Sequence, residues 1–348
     1  MREELAGELE PSSQDVGDAI EKIMVHLFSA QLLRAGLKLG LPDAFGDDPV
    51  APDQLARRVG ADPAVLHRLL RALASIGVFQ ATTAGRYTHS PLSRILQSSD
   101  AGLLLGQAAT VDALWQAWSS LDTAVRSGDG PFRALHGTDF YTYLSEYDPE
   151  QSATFHAAMN EATALDNDDV VGALDLTAVS RLVDVGGGQG GLLRDLLRHN
   201  RHLQGVLFDT ESVVGNAVPE LSSGELADRC EIVAGDARET VPAGAEAYLL
   251  RLVLHNWDDE SCVRILAACA RAARPGARVF VVETVLPADR LPSATEAMMD
   301  MGMFVTFGSG ERTEAEFAKL FDRAGLAYVG LTPTPSFSIL EARVGSGG

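Results

Sequence analysis

The chain has 348 residues and a formal net charge of −20, because 48 acidic residues outnumber 28 basic ones. This length is enough for two packed domains, and a composition of 46% hydrophobic and 22% charged residues is typical of a globular protein. A strongly negative protein repels phosphate backbones and anionic lipid surfaces. We therefore expect neither nucleic acid nor a membrane among its partners.

The three cysteines, Cys230, Cys262 and Cys269, have spacings that match neither a zinc site nor a disulfide framework. We interpret them as small buried side chains in a reducing compartment. The acidic start lacks the pattern of a secretory signal, and no apolar run reaches the roughly 18 residues that span a bilayer. These features predict a cytoplasmic protein.

The first third of the chain has the pattern of a small helical module. Residues 1–17 are polar and are predicted to form a flexible arm, and helical apolar spacing begins at Asp18 and runs to Leu39. The elements predicted after it are two helices and two short strands, over 52–59, 62–77, 78–81 and 86–88. Helix, helix and hairpin follow one another as in a winged helix.

A winged helix often binds DNA, but the second of these helices carries only His67, Arg68 and Arg71 as basic residues. A packing and dimerisation module is the better interpretation, since the apolar helices are too numerous for a small domain to bury alone. We predict a homodimer through residues 18–110. A ligand-sensing regulator is the alternative function for this module.

The remaining chain divides into two further predicted segments. Residues 111–175 are mostly helical with aromatic insertions and are predicted to be a connector that contributes to a substrate pocket. From residue 176 onward, strands alternate with helices, which is typical of a parallel sheet covered on both faces. Strands are predicted at 181–186, 205–209, 230–234, 247–253, 278–285, 327–331 and 337–344. The last two are too close for a crossover helix and should form an antiparallel hairpin at the sheet edge.

A strand runs directly into a glycine-rich turn at residues 182–191. Gly186, Gly188 and Gly191 match the dinucleotide pattern GxGxxG, so an NAD dehydrogenase is one alternative. However, acidic residues stand at the ends of three successive strands, at Asp184, Asp209 and Asp236. A ligand with cationic sulfonium and ammonium groups suits three carboxylates better than a pyrophosphate does.

His255 follows the fourth predicted strand, so it should face the same crevice as this ligand. A single histidine in such a place is often structural. The acidic run Asp258–Glu260 is explained by capping of the next helix and its dipole, so we predict no metal.

Three motifs together resemble the plant caffeate and flavonoid O-methyltransferases and their bacterial natural-product relatives. His255-Asn256-Trp257 matches the family's base motif, Glu283 precedes Thr-Val-Leu-Pro, and Glu311 lies in Gly-Glu-Arg-Thr. The resemblance covers nearly the whole chain. It implies an α/β fold, in which a Rossmann-like methyltransferase domain with a C-terminal antiparallel hairpin follows an N-terminal all-helical, winged-helix-like dimerisation domain.

The resemblance implies S-adenosyl-L-methionine as cofactor and S-adenosyl-L-homocysteine as product. The positions that it assigns to the cofactor are Gly186, Gly188, Asp209, Asp236 and Arg251. Asp184, from its place at the strand end, and Ala237 and Arg238, from their place after Asp236, complete the predicted cofactor site. Ala237-Arg238 replaces the apolar or aromatic pair that is usual after Gly-Asp. The Arg238 guanidinium is expected either to stack in its place or to point to solvent.

The resemblance also implies that His255 is the general base and that Glu283 and Glu311 orient it and stabilise its protonated form. The acceptor is expected to be a polycyclic or quinone-like phenol. Its predicted pocket consists of Phe155, Met159, Asn256, Met299, Met303 and Phe304. Some relatives instead catalyse decarboxylation, hydroxylation or pericyclic cyclisation, an alternative that the retained base and carboxylates argue against.

Overall fold

The computed structural model describes residues 13–97, 111–147 and 164–345, together with Ser152, Phe155 and Met159. The chain divides into two units, Met1–Val111 and Asp112–Gly348. Residues 1–12 of the predicted arm lie outside the described residues.

The first unit has the predicted order of helices followed by a hairpin. Helix α1 begins at Ser13 rather than at Asp18, so the last five residues assigned to the arm are helical. Asp62 caps α4, since its carboxylate accepts a hydrogen bond from the Val65 amide at 2.9 Å. Strands β1 and β2 pair antiparallel, so the unit is not all-helical. Its elements are α1 (Ser13–Lys38), α2 (Leu41–Ala44), α3 (Pro52–Val59), α4 (Pro63–Ser75), β1 (Phe79–Ala81), β2 (Tyr87–His89) and α5 (Pro91–Ile95).

The amino-terminal half of α1 carries several large apolar side chains that are exposed in the single chain. Ile23 is 66% and Phe28 is 56% accessible. The other exposed apolar residues of this segment are Val16, Ile20, Met24, Val25 and Leu27. Exposed apolar side chains grouped in this way usually mark a surface that another molecule covers.

The second unit begins with the helices predicted for the connector. They are α6 (Asp112–Ser119), α7 (Leu121–Ser127), α8 (Pro131–His136), α9 (Phe140–Tyr147) and α10 (Asn167–Ala173). Phe132 and Phe140 are buried and pack edge to face, with ring centroids 5.3 Å apart.

A seven-stranded sheet follows, in the order β10-β11-β7-β6-β3-β4-β5. Strands β3 to β7 are parallel, and β10 and β11 form the predicted antiparallel hairpin, with β11 paired to β7 at the sheet edge. The strands are β3 (Arg181–Val185), β4 (Gln204–Asp209), β5 (Cys230–Ala234), β6 (Ala247–Arg251), β7 (Arg278–Glu283), β10 (Leu326–Pro333) and β11 (Ser338–Val344). The strand predicted over 278–285 is interrupted, because β8 (Val285–Leu286) leaves the sheet to pair with β9 (Arg312–Thr313).

Helices cover both faces of this sheet. They are α11 (Gly191–His199), α12 (Glu211–Val214), α13 (Pro219–Ser222), α14 (Asp259–Ala272) and α16 (Glu314–Arg323). Helix α15 (Ala294–Phe307) packs instead against α6 and α8. Alternate strand residues enter two different cores: Val183 and Leu250 pack with α14 and α16, whereas Leu182 and Leu249 pack with α10 and α11. Because β3 to β7 are parallel, their carboxyl ends meet at one edge.

Among the described residues, no helix has both the length and the apolar character that a membrane span requires.

Candidate active site

The glycine turn after β3 approaches its neighbours too closely for a side chain. Gly186 has φ +68°, and a Cβ on it would lie 2.7 Å from Val253 Cγ2. The Gly186 amide donates to the Phe208 carbonyl at 2.8 Å. The turn therefore lies against both β4 and the end of β6.

Asp184 lies beneath this turn and is only 2% exposed. Its Oδ2 has no hydrogen-bond partner among the described residues. Burial raises the pKa of Asp184 to about 7, with a further contribution from the negative charge of Asp209, while Arg251 opposes the shift. A buried carboxylate in this state favours a cationic ligand beside it.

Asp209 ends β4 and closes the glycine turn. Its Oδ2 accepts a hydrogen bond from the Gly188 amide at 2.9 Å, and its Oδ1 accepts one from the Thr210 amide at 2.7 Å. The carboxylate and the turn are thus held in one arrangement at the carboxyl edge of the sheet.

Arg238 does not point to solvent. Its guanidinium forms an ion pair with Asp236 at 2.6 Å and lies over the Trp257 ring, with Cζ 4.4 Å from the ring centroid. Hydrogen bonds from Nε and Nη2 reach both carboxylate oxygens of Asp236. Ala237 packs against the core beside this pair.

Arg251 ends β6 and faces α10 and the turn between β10 and β11. It donates to Asn167 Oδ1, and its Cζ lies 5.2 Å from the centroid of the Phe337 ring. Asn167 in turn donates to Asp195 at 2.6 Å. The positive charge of Arg251 lowers the pKa of Asp184 and so opposes the effect of burial.

The segment after β6 is anchored by Glu283, the last residue of β7. Leu252 has φ +54°, an uncommon conformation for a residue other than glycine, and a short 3-10 helix, Leu254–Asn256, follows it. Glu283 is 0% exposed, and its Oε1 accepts hydrogen bonds from the amides of Val253, Leu254 and His255 at 3.0, 2.8 and 3.4 Å. One buried carboxylate thus holds three successive amides.

His255 lies between the two predicted carboxylates and is 8% exposed. Its Nδ1 is 3.1 Å from Glu311 Oε1 and 3.6 Å from Glu283 Oε2. Burial alone lowers the pKa of His255, but the charge of Glu283 and the hydrogen bond to Glu311 outweigh burial and raise the pKa above its usual range. Burial raises the pKa of Glu283, and the charge of Glu311 adds to this, although His255 opposes it.

The ligand atoms of these three residues lie within 4.8 Å of one another, which is also a geometry for a metal ion. The neighbouring acidic run has another role: Asp258 caps α14 by accepting from the Ser261 amide at 2.7 Å.

Helix α15 lies beside Glu311, because Asp300 Oδ1 accepts a hydrogen bond from the Glu311 amide at 2.9 Å. Helical spacing places Met303, Phe304 and Phe307 on the same face as Asp300. Met299, one turn before Met303, is among the exposed residues of this helix.

Phe155 belongs to an aromatic cluster. Its ring lies 5.2 Å from Phe140, and Tyr141 stacks on Phe307 at 5.3 Å. Met159 is partly buried. Asn256, in contrast, donates its side-chain amide to the Leu252 carbonyl at 3.0 Å and stabilises the turn after β6.

Sequence reasoning missed several residues of the site. Asp300 and Asn167 belong to no motif, and nothing in their local pattern indicates these contacts. Tyr141 is one of the aromatic insertions predicted for the connector, but its stacking on Phe307 has no signal in the sequence. Burial raises the pKa of Tyr141, and the negative charge of Asp209 adds to the shift. Ser309 was also missed; its hydroxyl donates to the His255 carbonyl.

Comparison with known proteins identifies the family. Residues 118–327 match the O-methyltransferase domain, and residues 22–99 match the O-methyltransferase dimerisation domain. The chain belongs to the O-methyltransferase family. It is 36% identical to a phenazine O-methyltransferase from Lysobacter antibioticus, over 90% of this chain and 92% of that protein.

Other members of the O-methyltransferase family match at similar levels. A mitomycin biosynthesis 6-O-methyltransferase from Streptomyces lavendulae is 34% identical over 89% of this chain and 88% of its own. An 8-amino-8-demethylriboflavin N,N-dimethyltransferase from Streptomyces davaonensis is 32% identical over 92% and 93%. A neocarzinostatin-biosynthesis O-methyltransferase, solved with S-adenosyl-L-homocysteine and 1,4-dihydroxy-2-naphthoic acid, superposes with TM-score 0.80 and 31% identity, over 90% of this chain and 95% of that one.

The pKa of His255 is directly testable by histidine NMR titration. We expect it to exceed the usual value of about 6.5, because two carboxylates stabilise the protonated ring. In Glu311→Gln the hydrogen-bonded carboxylate becomes a neutral amide, so the pKa of His255 should fall. An unchanged His255 pKa would contradict the ion pair.

Proposed function

We propose that this O-methyltransferase transfers a methyl group from S-adenosyl-L-methionine to a phenolic hydroxyl of an aromatic natural product, with His255 as general base. The observation that carries the proposal is the buried contact of His255 Nδ1 with Glu311 and Glu283 at 3.1 and 3.6 Å, at the sheet edge that also carries the glycine turn.

The turn fits this cofactor because Asp184 offers it a buried carboxylate oxygen that has no partner among the described residues. When bound, the cofactor supplies an electrophilic methyl group on a sulfonium and leaves as S-adenosyl-L-homocysteine. Gly186 and Gly188 admit it close to the backbone, and Asp209 accepts hydrogen bonds from its ribose. The positive charge of Arg251 opposes the upward shift of the Asp184 pKa and so favours its ionised form.

The adenine side of the site is assigned to Asp236, Ala237 and Arg238. A carboxylate offers about four lone-pair positions. Asp236 already accepts from three donors of Arg238, its backbone amide, Nε and Nη2, so one position remains for the adenine amine. The planar guanidinium, held over Trp257 at 4.4 Å, replaces the apolar surface usual at this position.

His255 removes the acceptor's proton as the methyl group is transferred. A phenol has a pKa of about 10 and a histidine one of about 6.5, so transfer of the proton to histidine before methyl transfer is unfavourable. The raised pKa of His255 makes the difference between the two pKa values smaller. Glu311 and Glu283 engage Nδ1, so Nε2 is the nitrogen that accepts the proton, and the carboxylates stabilise the resulting imidazolium.

The acceptor pocket is assigned to Phe155, Met159, Met299, Met303 and Phe304. Thioether and aromatic surfaces suit a flat ring. Asn256 borders this pocket from the turn after β6, where its amide is already engaged. A buried base favours a hydroxyl, whose proton must leave, over an amine nitrogen with its own lone pair.

Replacement of His255 by alanine should lower kcat by about 10²–10⁴, the usual contribution of general-base catalysis. Affinity for S-adenosyl-L-homocysteine should remain within about twofold, because His255 is assigned no cofactor contact. Steady-state kinetics and calorimetry measure the two effects.

A more acidic phenol, already ionised at the assay pH, serves as the control for base catalysis and should restore much of the rate of His255→Ala. Full activity with the native acceptor would exclude the base. If His255→Ala loses methyl-transfer activity and the acidic phenol does not restore it, a non-methylating reaction or a structural role for His255 would be favoured. Inhibition of the wild type by a chelator, reversed by a divalent metal, would favour the metal geometry instead.

Replacement of Asp209 by alanine should weaken binding of S-adenosyl-L-homocysteine by about 1–3 kcal/mol, because ribose hydroxyls lose a charged acceptor and the Gly188 amide loses its partner. Calorimetry measures the change. Glu211→Gln, at an exposed neighbouring carboxylate, is the matched control and should bind as the wild type does. Equal affinity in Asp209→Ala would remove this residue from the site.

The dimerisation-domain match supports a homodimer, and we assign the exposed apolar half of α1 to the interface. Glutamate at Ile23 or Phe28 would place a charge in that interface and should convert the dimer to a monomer in sedimentation at micromolar concentration. Gln54→Glu adds the same charge at an exposed polar position of the same unit and should leave the dimer intact. A dimeric Phe28→Glu variant would place the interface elsewhere.

A further inference from the structure

The turn that carries His255 is held by its carbonyl groups as well as by its amides. Arg312 is 8% exposed, and its Nη1 donates to the Leu254 carbonyl at 3.1 Å while its Nη2 donates to the Trp257 carbonyl at 2.8 Å. These carbonyls flank His255 on either side. Nε of Arg312 donates to Asp259 at 3.0 Å, which sets the orientation of the guanidinium plane.

Two further contacts lead to the same turn. Cys262 Sγ lies 3.2 Å from the Leu254 carbonyl and 3.4 Å from the Trp257 carbonyl. Strand β9 pairs Arg312 with Val285, two residues beyond Glu283. Glu311 and Arg312, adjacent in the chain, thus contact the side chain of His255 and the backbone around it.

We propose that Arg312 is a positioning residue for catalysis: its guanidinium fixes the carbonyls on both sides of His255 and thereby keeps the imidazole between Glu283 and Glu311. The inference rests on the proposed role of His255 as the base. A guanidinium presents several donors in a rigid plane, whereas an ammonium is a point charge, so lysine cannot hold both carbonyls and Asp259 together.

The test is Arg312→Lys in the full-length enzyme. This substitution keeps the positive charge but removes the planar set of donors. A displacement of about 1 Å at a catalytic group costs up to about 10²-fold in rate, so we expect kcat to fall by about 10–100-fold. Affinity for S-adenosyl-L-homocysteine should stay within about twofold. The NMR pKa of His255 should fall because the ring moves away from its carboxylates, a change that a general loss of stability does not produce in the folded protein.

Arg278→Lys is the matched control. Arg278 also forms a two-pronged contact with a carboxylate, that of Glu341, and donates to a carbonyl, that of Asp175, in the same unit. Its variant should keep kcat within about twofold, even where the melting temperature falls, since these contacts do not reach the turn. If Arg312→Lys folds poorly, Cys262→Ala disturbs the same carbonyls more mildly and should lower both kcat and the His255 pKa in the same direction.

The double variant His255→Ala/Arg312→Lys decides whether Arg312 acts through His255. If it does, the double variant should be as slow as His255→Ala alone, because the two losses are not additive. Additive losses, or an Arg312→Lys variant that keeps the rate and the His255 pKa of the Arg278 control, would overturn the inference. In those cases a slow His255→Ala would still support the base, whereas a fast His255→Ala would remove the base itself.

Discussion

The carboxylate of Glu283 is the contact on which the candidate site depends. It is fully buried at the end of β7, and its Oε1 accepts hydrogen bonds from three successive amides of the turn after β6. The parallel register of the two strands, with Arg251 opposite Val282, brings the turn to this carboxylate. Charge-assisted hydrogen bonds of this kind are stronger than neutral ones. They maintain a turn that contains the left-handed Leu252 and place His255 beside Glu311.

The same sheet edge carries both the proposed base and the proposed cofactor site. The Val253 amide is the first of the three that donate to Glu283, and the Val253 side chain lies against Gly186, where only a glycine fits. Trp257, two residues after His255, lies under the guanidinium of Arg238. His255 and the groups assigned to the methyl donor are therefore close neighbours along this edge of the sheet. This proximity suits a reaction in which proton removal and methyl transfer occur together.

The electrostatics of the edge follow from its carboxylates. Asp184 is buried with a pKa raised to about 7, and Glu283 is buried with a raised pKa of its own. Two cationic groups oppose them, Arg251 beside Asp184 and the imidazole of His255 beside Glu283. A positively charged cofactor would place further positive charge beside Asp184. An imidazolium formed during transfer would place a full positive charge beside Glu283. Negative charge is thus placed where the proposed reaction needs it.

The sequence by itself determined the parallel strands of the sheet, the hairpin at its edge and three residues, His255, Glu283 and Glu311, that the structure brings together. Strands and caps follow from local periodicity and local hydrogen bonds, and the motif residues His255, Glu283 and Glu311 could be named together although 28 and 56 residues separate them. Only the tertiary structure decided which groups the arginine side chains near the site contact. Arg238 lies over the Trp257 ring rather than pointing to solvent, and Arg312 reaches two carbonyls more than fifty residues away. Such contacts depend on side-chain direction and on packing between distant elements, which no local pattern encodes.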